Sequence, residues 1–203
     1  MPSISGSPPV TLSEPIEVLT THGVLLFRHA FDGVSDGVVV QSRVLDTDQP
    51  LLVRVQSSCV FSEALKAIDC DCATQLDQSL GLISDSLGLV IYVYEEGRGV
   101  GLPSKFDAIA LQQREGIDTA EAFDRLGLHT DPRAHKFAGT IINDLIGSSP
   151  VVLLTNNPHK MRALIDCGVN VVSRRALLPV EGSPADSYLR AKACVLGHKL
   201  SED

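Results

Sequence analysis

The chain has 203 residues, of which 44% are apolar and 21% charged, and its formal net charge is −8 at pH 7. This size suits one globular domain, and an acidic chain without a long Lys/Arg run disfavours nucleic acid and anionic membranes as main partners. No stretch approaches the roughly 20 apolar residues of a membrane-spanning helix, and residues 1–9 lack a signal-peptide pattern. We therefore expect a cytoplasmic protein whose five cysteines are mostly reduced.

The sequence pattern predicts strands in the first part of the chain and helices that alternate with strands in the rest. Short β-rich runs between turn-forming segments predict a mostly antiparallel sheet up to about residue 60. These predicted strands are 16–20, 23–27, 37–44 and 51–55. Helical periodicity and short apolar runs follow in alternation. The predicted helices are 62–68, 74–86, 104–115, 119–127, 135–147 and 158–167, and the predicted strands are 88–94, 151–154 and 169–173.

This order of elements predicts an α+β (mixed α/β) fold, with a β-rich N-terminal part followed by alternating helices and strands. We expect a single domain over residues 15–180, because no internal repeat or interdomain linker is found. Residues 1–14 are predicted to be disordered, and residues 181–203 to form a C-terminal tail.

Three of the five cysteines are grouped in the sequence. Cys59, Cys70 and Cys72 have the spacing C-x10-C-x-C, whereas Cys167 and Cys194 lie in apolar helical surroundings. Three thiolates would hold a zinc ion and leave one of its four positions to water, which is typical of a catalytic site. The alternative is that they are small buried apolar residues, the commonest state of free cysteine. Spacing alone leaves both interpretations open.

A glycine-rich segment, "YEEGRGVGLPSK" at residues 94–105, follows the predicted strand at 88–94. Its glycines would let the backbone approach a ligand closely, and Arg98 with Lys105 could neutralise phosphate groups. The segment is not a Walker loop, because G-K-S/T is absent. A tight surface loop would explain the same residues.

The segment "LLTNNPHK" at residues 153–160 leads from a predicted strand into a predicted helix. Thr155 lies at the strand's end and Lys160 in the first helical turn, where α/β proteins commonly bind ligands. The alternative is structural, because Asn157 and Pro158 form an ordinary start to a helix.

Taken in order, six motifs resemble the GTP cyclohydrolase II family over about residues 15–178. They are "RVQSSC", "CDCATQL", "EEGRGVGL", "LQQREGIDTAEA", "LGLHTDPR" and "LLTNNPHK". The resemblance implies a catalytic domain over residues 15–180 in a homodimeric enzyme of riboflavin biosynthesis. Such enzymes use zinc and magnesium to open the imidazole ring of GTP, remove C8 as formate and release pyrophosphate.

The resemblance also implies roles for individual residues. Cys59, Cys70 and Cys72 match the ligands of one zinc ion per chain, and magnesium is implied with the nucleotide phosphates. Asp131 matches a proton acceptor and Arg133 a nucleophile at the α-phosphate; a carboxylate that takes the arginine's proton makes chemical sense. Without the resemblance, "DPR" would be an exposed charge pair. Substrate contacts are implied for Arg54, Gln75, Glu96, Gly97, Arg98, Thr119, Thr155 and Lys160.

The chain departs from the family's pattern beside the implied zinc site. The departures are Gln56 for a histidine, Ser58 for a carboxylate, the bulky Phe61 in "VFSE", and Asp69 before "CDCA". Ile109 stands where the family has an active-site tyrosine, and isoleucine cannot donate a hydrogen bond or carry a proton. Ring opening could therefore stop at a formamidopyrimidine nucleotide, unless a residue such as Tyr94 replaces the lost hydroxyl.

Two other classes of function remain beside an active GTP cyclohydrolase. A regulatory protein that binds a nucleotide without turnover would not need Asp131 and Arg133, and their presence argues against it. A related zinc hydrolase could act on another purine or a pyrimidine nucleotide, which the changes at Gln56, Ser58 and Phe61 favour somewhat. The sequence identifies neither the base nor the number of phosphates.

Overall fold

The computed structural model of the chain describes residues 9–46, 48–128 and 133–177. The predicted tail at 181–203 lies outside these ranges, as do residues 1–8 of the segment predicted to be disordered. Within the same segment, Thr11–Leu12 forms a strand that pairs with a later strand. Regular structure therefore begins before residue 15.

The described residues form eight strands and five α-helices. The strands are β1 (Thr11–Leu12), β2 (Ile16–Thr20), β3 (Gly23–Phe31), β4 (Asp36–Gln41), β5 (Leu51–Ser57), β6 (Gly88–Val93), β7 (Val151–Leu154) and β8 (Val171–Arg175). The helices are α1 (Cys72–Asp85), α2 (Gly101–Glu115), α3 (Thr119–Arg125), α4 (Arg133–Ile146) and α5 (Pro158–Asp166). A π-helical turn covers Val60–Ala64 and a 3-10 turn covers Gly97–Gly99.

All eight strands belong to one mixed sheet, in the order β1-β3-β4-β6-β5-β7-β8 with β2 also paired to β3. The pairs among β1 to β4 and the pair of β4 with β6 are antiparallel. Strand β5 departs from the antiparallel prediction, because it pairs parallel with both β6 and β7. The connection from β5 to β6 contains α1, and a crossover of this kind returns the chain in the same direction. The predicted α+β class is confirmed.

Strand β6 is buried on both faces of the sheet. Leu89, Ile91 and Val93 face the larger core with Phe137 of α4, whereas Val90 faces a second core with Ile83 of α1. This explains the continuous apolar run that predicted a buried strand, because a strand covered on both faces does not alternate apolar with polar residues. A third cluster joins α2 to α3. In the described part of the chain, no helix has the length and apolar character needed to cross a membrane.

The helix predicted at 62–68 is replaced by the π-helical turn at Val60–Ala64. The Glu63 carboxylate turns back to accept a hydrogen bond from the Cys59 N–H at 3.1 Å, and Lys66 has a positive φ of 62°. A helix this short is costly to nucleate. Local side-chain bonds therefore determine the conformation here.

The parallel strands bring three segments to one edge of the sheet. Strands β5, β6 and β7 run in the same direction, so the residues after Ser57, Val93 and Leu154 emerge side by side. The carboxyl edge of parallel strands is where open α/β sheets bind ligands. The motifs "RVQSSC", "EEGRGVGL" and "LLTNNPHK" leave the sheet at this edge.

Candidate metal centre and ligand site

The structure brings the three grouped cysteines together. Cys59 follows β5, Cys72 is the first residue of α1, and Cys70 lies two residues before it. Their Sγ atoms all lie within 4.8 Å of one another, and those of Cys59 and Cys70 are 3.8 Å apart. Sulfur atoms about 2.3 Å from a tetrahedral zinc ion would be separated by roughly 3.8 Å. The donor type and the spacing therefore both fit zinc.

The thiol groups of this cluster share protons unequally. Hydrogen bonds from Cys70 and Cys72 lower the pKa of the Cys59 thiol, and the positive charge of Lys105 contributes in the same direction. At Cys72 the hydrogen bonds with Cys59 and Cys70, together with burial, raise the pKa instead. One thiolate thus forms readily, whereas further thiolates need a cation to stabilise them. Such a cluster releases protons when a metal binds.

Lys105 reaches the cysteines from α2. Its Nζ lies 3.5 Å from the Sγ of Cys59 and 2.8 Å from an Oε of Glu96, and it stands 4.5 Å from the centre of the Phe61 ring. The other Oε of Glu96 accepts the N–H of Val60 at 2.5 Å. Burial lowers the pKa of Lys105, but Glu96 and Cys59 outweigh this effect and the pKa is raised. Lys105, which the sequence suggested for phosphate groups, contacts a carboxylate and a cysteine in this structure.

Arg54 is buried at the centre of a polar network below the cysteines, with 5% of its surface exposed. It donates to the side-chain oxygens of Gln56 and Gln75, and its Nη1 donates to the Leu154 carbonyl at 3.0 Å. Burial lowers its pKa to about 10, and the nearby carboxylate of Asp71 opposes this effect. Gln75 also donates to Asp71. Arg54 therefore links β5, β7 and α1.

The network continues from Gln56 to the backbone of two cysteines. Gln56 Nε2 donates to Glu63 at 2.8 Å and to the Cys72 carbonyl at 3.3 Å. The second carboxylate oxygen of Glu63 accepts the Cys59 N–H and, at 2.5 Å, the hydroxyl of Tyr92. Sequence reasoning missed Glu63 and Tyr92. Tyr92 carries the one polar group in the apolar strand "GLVIYV", and that signal could have identified it.

The 3-10 turn at Gly97–Gly99 includes Gly97 and the backbone of Arg98. Gly97 has a φ of +61°, and a Cβ atom there would lie 3.2 Å from the Lys105 Cβ and 3.3 Å from a methyl carbon of Val100. Glycine is thus required for both conformation and space. The side chain of Arg98 is not among the described parts of the chain, and its proposed contact stays a prediction.

Thr155 and Lys160 lie at the same edge of the sheet. Thr155 is buried directly after β7, and its Oγ1 accepts the N–H of Asn157 at 3.1 Å. Lys160 lies in the first turn of α5 and donates to the carbonyl of Val55 in β5 at 3.1 Å. Both residues are therefore neighbours of the segment that carries Arg54.

Thr119 is the first residue of α3 and contacts α2. Its Oγ1 donates to the side-chain oxygen of Gln112 at 3.0 Å. Gln112 follows Lys105 by seven residues, or about 10 Å along a helix axis. Thr119 is therefore joined to the cysteine region through α2 and not through the sheet.

Ile109 lies on α2 one turn after Lys105. Residues four apart share one face of a helix, so Ile109 is on the face from which Lys105 reaches Cys59. Nearby, Phe61 and Phe106 form an edge-to-face pair with ring centres 5.2 Å apart, and Phe106 is 55% exposed. Phe61, two residues after Cys59, is thus packed against an aromatic side chain of α2.

Of the predicted reacting pair, Asp131 and Arg133, the structure describes only the backbone of Arg133. Asp131 lies outside the described residues, and Arg133 begins α4 with a side chain that also lies outside them. Two residues later, the pKa of His135 is lowered by burial and by the charge of Lys160. The start of α4 is therefore close to Lys160.

Comparison with known proteins identifies a matching family and several similar chains. A family model described as GTP cyclohydrolase II matches residues 13–176. A GTP cyclohydrolase-2 of Buchnera aphidicola is 40% identical over 159 residues, covering 78% of this chain and 81% of that protein. One of Neisseria meningitidis serogroup A is 38% identical over 186 residues, covering 91% of each. A solved two-domain 3,4-dihydroxy-2-butanone 4-phosphate synthase of A. baumannii has a TM-score of 0.44 at 13% identity, over 85% of this chain and 41% of that one.

Proposed function

The chain belongs to the GTP cyclohydrolase II family of hydrolases, and on that premise we propose that it opens the imidazole ring of GTP at C8, with loss of formate and release of pyrophosphate. The observation that carries the proposal is the cluster of Cys59, Cys70 and Cys72. The cluster stands at the carboxyl edge of the parallel strands, where the segments after β5, β6 and β7 leave the sheet. Riboflavin biosynthesis is the pathway that this activity serves.

We assign one zinc ion per chain to the three thiolates. Zinc in such a site supplies a Lewis acid that lowers the pKa of water at its open position toward neutrality. Among the described residues, no fourth His, Cys, Asp or Glu joins the cluster. That leaves room for water beside the metal and fits a catalytic centre better than a structural one.

Most of the proposed substrate contacts lie in β5, in α1 or in the segments that follow β6 and β7, and Thr119 begins α3. The contacts are Arg54, Gln75, Glu96, Gly97, Arg98, Thr119, Thr155 and Lys160. Lys160 supplies positive charge in an otherwise acidic protein, and Gly97 lets the backbone approach a ligand. Arg54 is buried and bonded to Gln75, so we propose that it acts by orienting Gln75 toward the nucleotide. Magnesium with the phosphates is proposed from the family.

The phosphate chemistry is assigned to Arg133, with Asp131 as its proton acceptor. Arg133 would attack the α-phosphate, pyrophosphate would leave, and Asp131 would hold the proton released from the guanidinium group. The influence of Lys160 on the pKa of His135 supports this assignment. It indicates that the helix that begins at Arg133 starts beside a residue proposed to bind the nucleotide.

A second outcome of the reaction is favoured by Ile109. This side chain stands on the face of α2 from which Lys105 reaches Cys59, where the family has a tyrosine. Hydrolysis of the ring-opened formamide needs a proton for a poor amine leaving group and a second water molecule. An alkyl group supplies neither. The reaction would then end at a formamidopyrimidine nucleotide that keeps its formyl group.

The test is incubation of the zinc-loaded protein with GTP and, in parallel, with other purine and pyrimidine triphosphates. Mass spectrometry of the products would be combined with assays of formate and pyrophosphate. We expect GTP to lose its imidazole ring, and Cys70→Ser to lose both bound zinc and activity. Cys167→Ser is the matched control, because its thiol lies apart from the cluster and contacts the His135 carbonyl. Full zinc and activity in Cys70→Ser would contradict the assignment.

Homodimer formation and a cytoplasmic location stay predictions. Light scattering on the purified chain measures its molar mass directly, and fractionation of cells that produce it locates the protein. A molar mass near 43 kDa, twice the 21.7 kDa of one chain, is expected.

A further inference from the structure

We propose that Lys105 is a positioning residue of the metal centre, whose ammonium group donates a hydrogen bond to the Cys59 thiolate and strengthens metal binding. The inference rests on the proposed zinc site. It assigns Lys105 to the metal ligand, and not to the phosphate groups that a lysine near a glycine-rich loop suggests.

Three contacts in different directions fix the ammonium group. It lies 2.8 Å from Glu96, 3.5 Å from the Cys59 sulfur and 4.5 Å from the centre of the Phe61 ring. The Lys105 side chain is only 17% exposed and that of Glu96 only 15%. Bonds to charged groups are stronger than neutral ones, and a ring face attracts a cation. Lys105 is therefore held against the sulfur.

Glu96 connects this contact to the backbone of the metal loop. One of its oxygens holds Lys105, and the other accepts the N–H of Val60, the residue directly after Cys59. The start of α2 and the loop that carries Cys59 are thus joined through one carboxylate. A substitution at Lys105 is therefore expected to alter the position of the Cys59 loop as well as the surface of α2.

Charge explains why the contact favours metal binding. Three thiolates and one Zn²⁺ carry a net charge of −1, and the ammonium group that lies next to one sulfur and pairs with Glu96 offsets negative charge at that sulfur. A hydrogen bond also withdraws electron density from that sulfur, which alters its bond to the metal. Groups that contact metal ligands in this way typically change metal affinity about 10–100-fold when they are removed.

The chain offers a matched control for the lost charge. Lys66 lies in the same segment between Cys59 and Cys70, and its ammonium group donates to the Glu63 carbonyl at 2.9 Å in an exposed position. Lys66→Met removes one positive charge near the site without removing a bond to sulfur. Lys105→Arg keeps both a charge and a donor, and Phe61→Leu keeps the ammonium group but removes the ring.

The experiment measures zinc affinity by chelator competition and records the sulfur-to-cobalt charge-transfer band after replacement by Co²⁺. Lys105→Met should lower zinc affinity about 10–100-fold and move the band to longer wavelength, because a sulfur without a hydrogen bond gives up its electron more easily. Phe61→Leu should give a smaller change in the same direction, Lys105→Arg should recover most of the affinity, and Lys66→Met should match the unmodified protein.

Unfolding of the metal-free variants in urea separates this effect from a loss of fold. If Lys105→Met folds and keeps both the unmodified affinity and the band position, the inference is overturned. An equal loss in Lys66→Met would also overturn it, because the effect would then be one of general charge. If the unmodified protein itself binds neither zinc nor cobalt, the proposed metal centre fails as well.

Discussion

The buried side-chain oxygen of Gln56 accepts two hydrogen bonds from the guanidinium group of Arg54, at 3.0 and 2.7 Å. Its amide nitrogen donates to Glu63 and to the Cys72 carbonyl. This amide therefore uses both of its N–H groups, and its orientation is determined by its neighbours. Gln56 joins a buried cation to the loop that carries the metal ligands.

Gln56→Leu should destabilise the protein by about 3 kcal/mol, because it leaves the buried Arg54 and the half-buried Glu63 without this partner. Urea unfolding with an unchanged m value would measure the loss. The control is Gln41→Leu in β4, since the Gln41 side-chain oxygen is buried and has no hydrogen-bond partner within the described ranges. We expect no loss there. Equal stability of the two variants would refute the role of Gln56.

Ile109→Tyr should increase the formate released for each ring opened. General acid–base groups contribute roughly 10²–10⁴-fold, and the second outcome proposed above leaves mainly the formylated product in the unmodified protein. Quantification of formate against ring-opened nucleotide measures the ratio. Ile109→Phe is the control, because it adds the ring without the hydroxyl group. Stoichiometric formate from the unmodified protein would show that another residue does the work of the missing tyrosine.

Arg133→Ala and Asp131→Ala should each reduce pyrophosphate release from GTP by at least about 100-fold. We expect their unfolding midpoints to stay near that of the unmodified protein, because the roles proposed for both residues are chemical. Arg125→Ala is the comparison, since Arg125 is an exposed arginine of α3 that pairs with Glu115 and Glu121. Pyrophosphate release at the unmodified rate in either variant would show that the family's roles do not transfer.

Gly97→Ala should reduce both stability and nucleotide binding. Gly97 and Gly116 both have left-handed conformations, with φ of +61° and +66°, but only at Gly97 would a Cβ atom crowd its neighbours. Both substitutions cost about 1 kcal/mol from the backbone, and crowding against Lys105 adds about 1–3 kcal/mol at Gly97. Urea unfolding and GTP titration would measure the two effects. Similar losses in both variants would argue against a crowded site.

The free energy of unfolding should decrease as the pH falls below about 6.5, partly because of His135. Burial and the charge of Lys160 lower its pKa in the folded state, whereas the unfolded chain binds the proton near pH 6.5. The unfolded state therefore holds more protons below that pH, with a slope of at most about 1.4 kcal/mol per pH unit for one group.

His135→Asn should flatten this slope in urea unfolding between pH 7.5 and 5. The control variant is His159→Asn, which removes an exposed imidazole group. An unchanged slope in His135→Asn would assign the acid sensitivity to other groups.

The amino-acid sequence by itself determined most of the local structure and the family. The capping pair Asn157–Pro158 starts α5 where predicted, with the Asn157 side chain accepting the N–H of His159. The apolar run that became β6 and the periodic segments that became α1 to α5 are read from neighbouring residues. Such features depend on steric preferences and spacing within a few residues, so they are visible without the fold.

Only the tertiary structure decided which distant residues meet. The parallel pairing of β5, the contact of Lys105 with Cys59 and the link from Tyr92 through Glu63 to Gln56 join segments that are far apart in the chain. Each depends on how helices and strands pack around a shared core, where the free energy comes from burial and complementary charge. The sequence shows the spacing of three cysteines along the chain. Packing at one edge of the sheet brings their sulfur atoms close enough to bind a single metal ion.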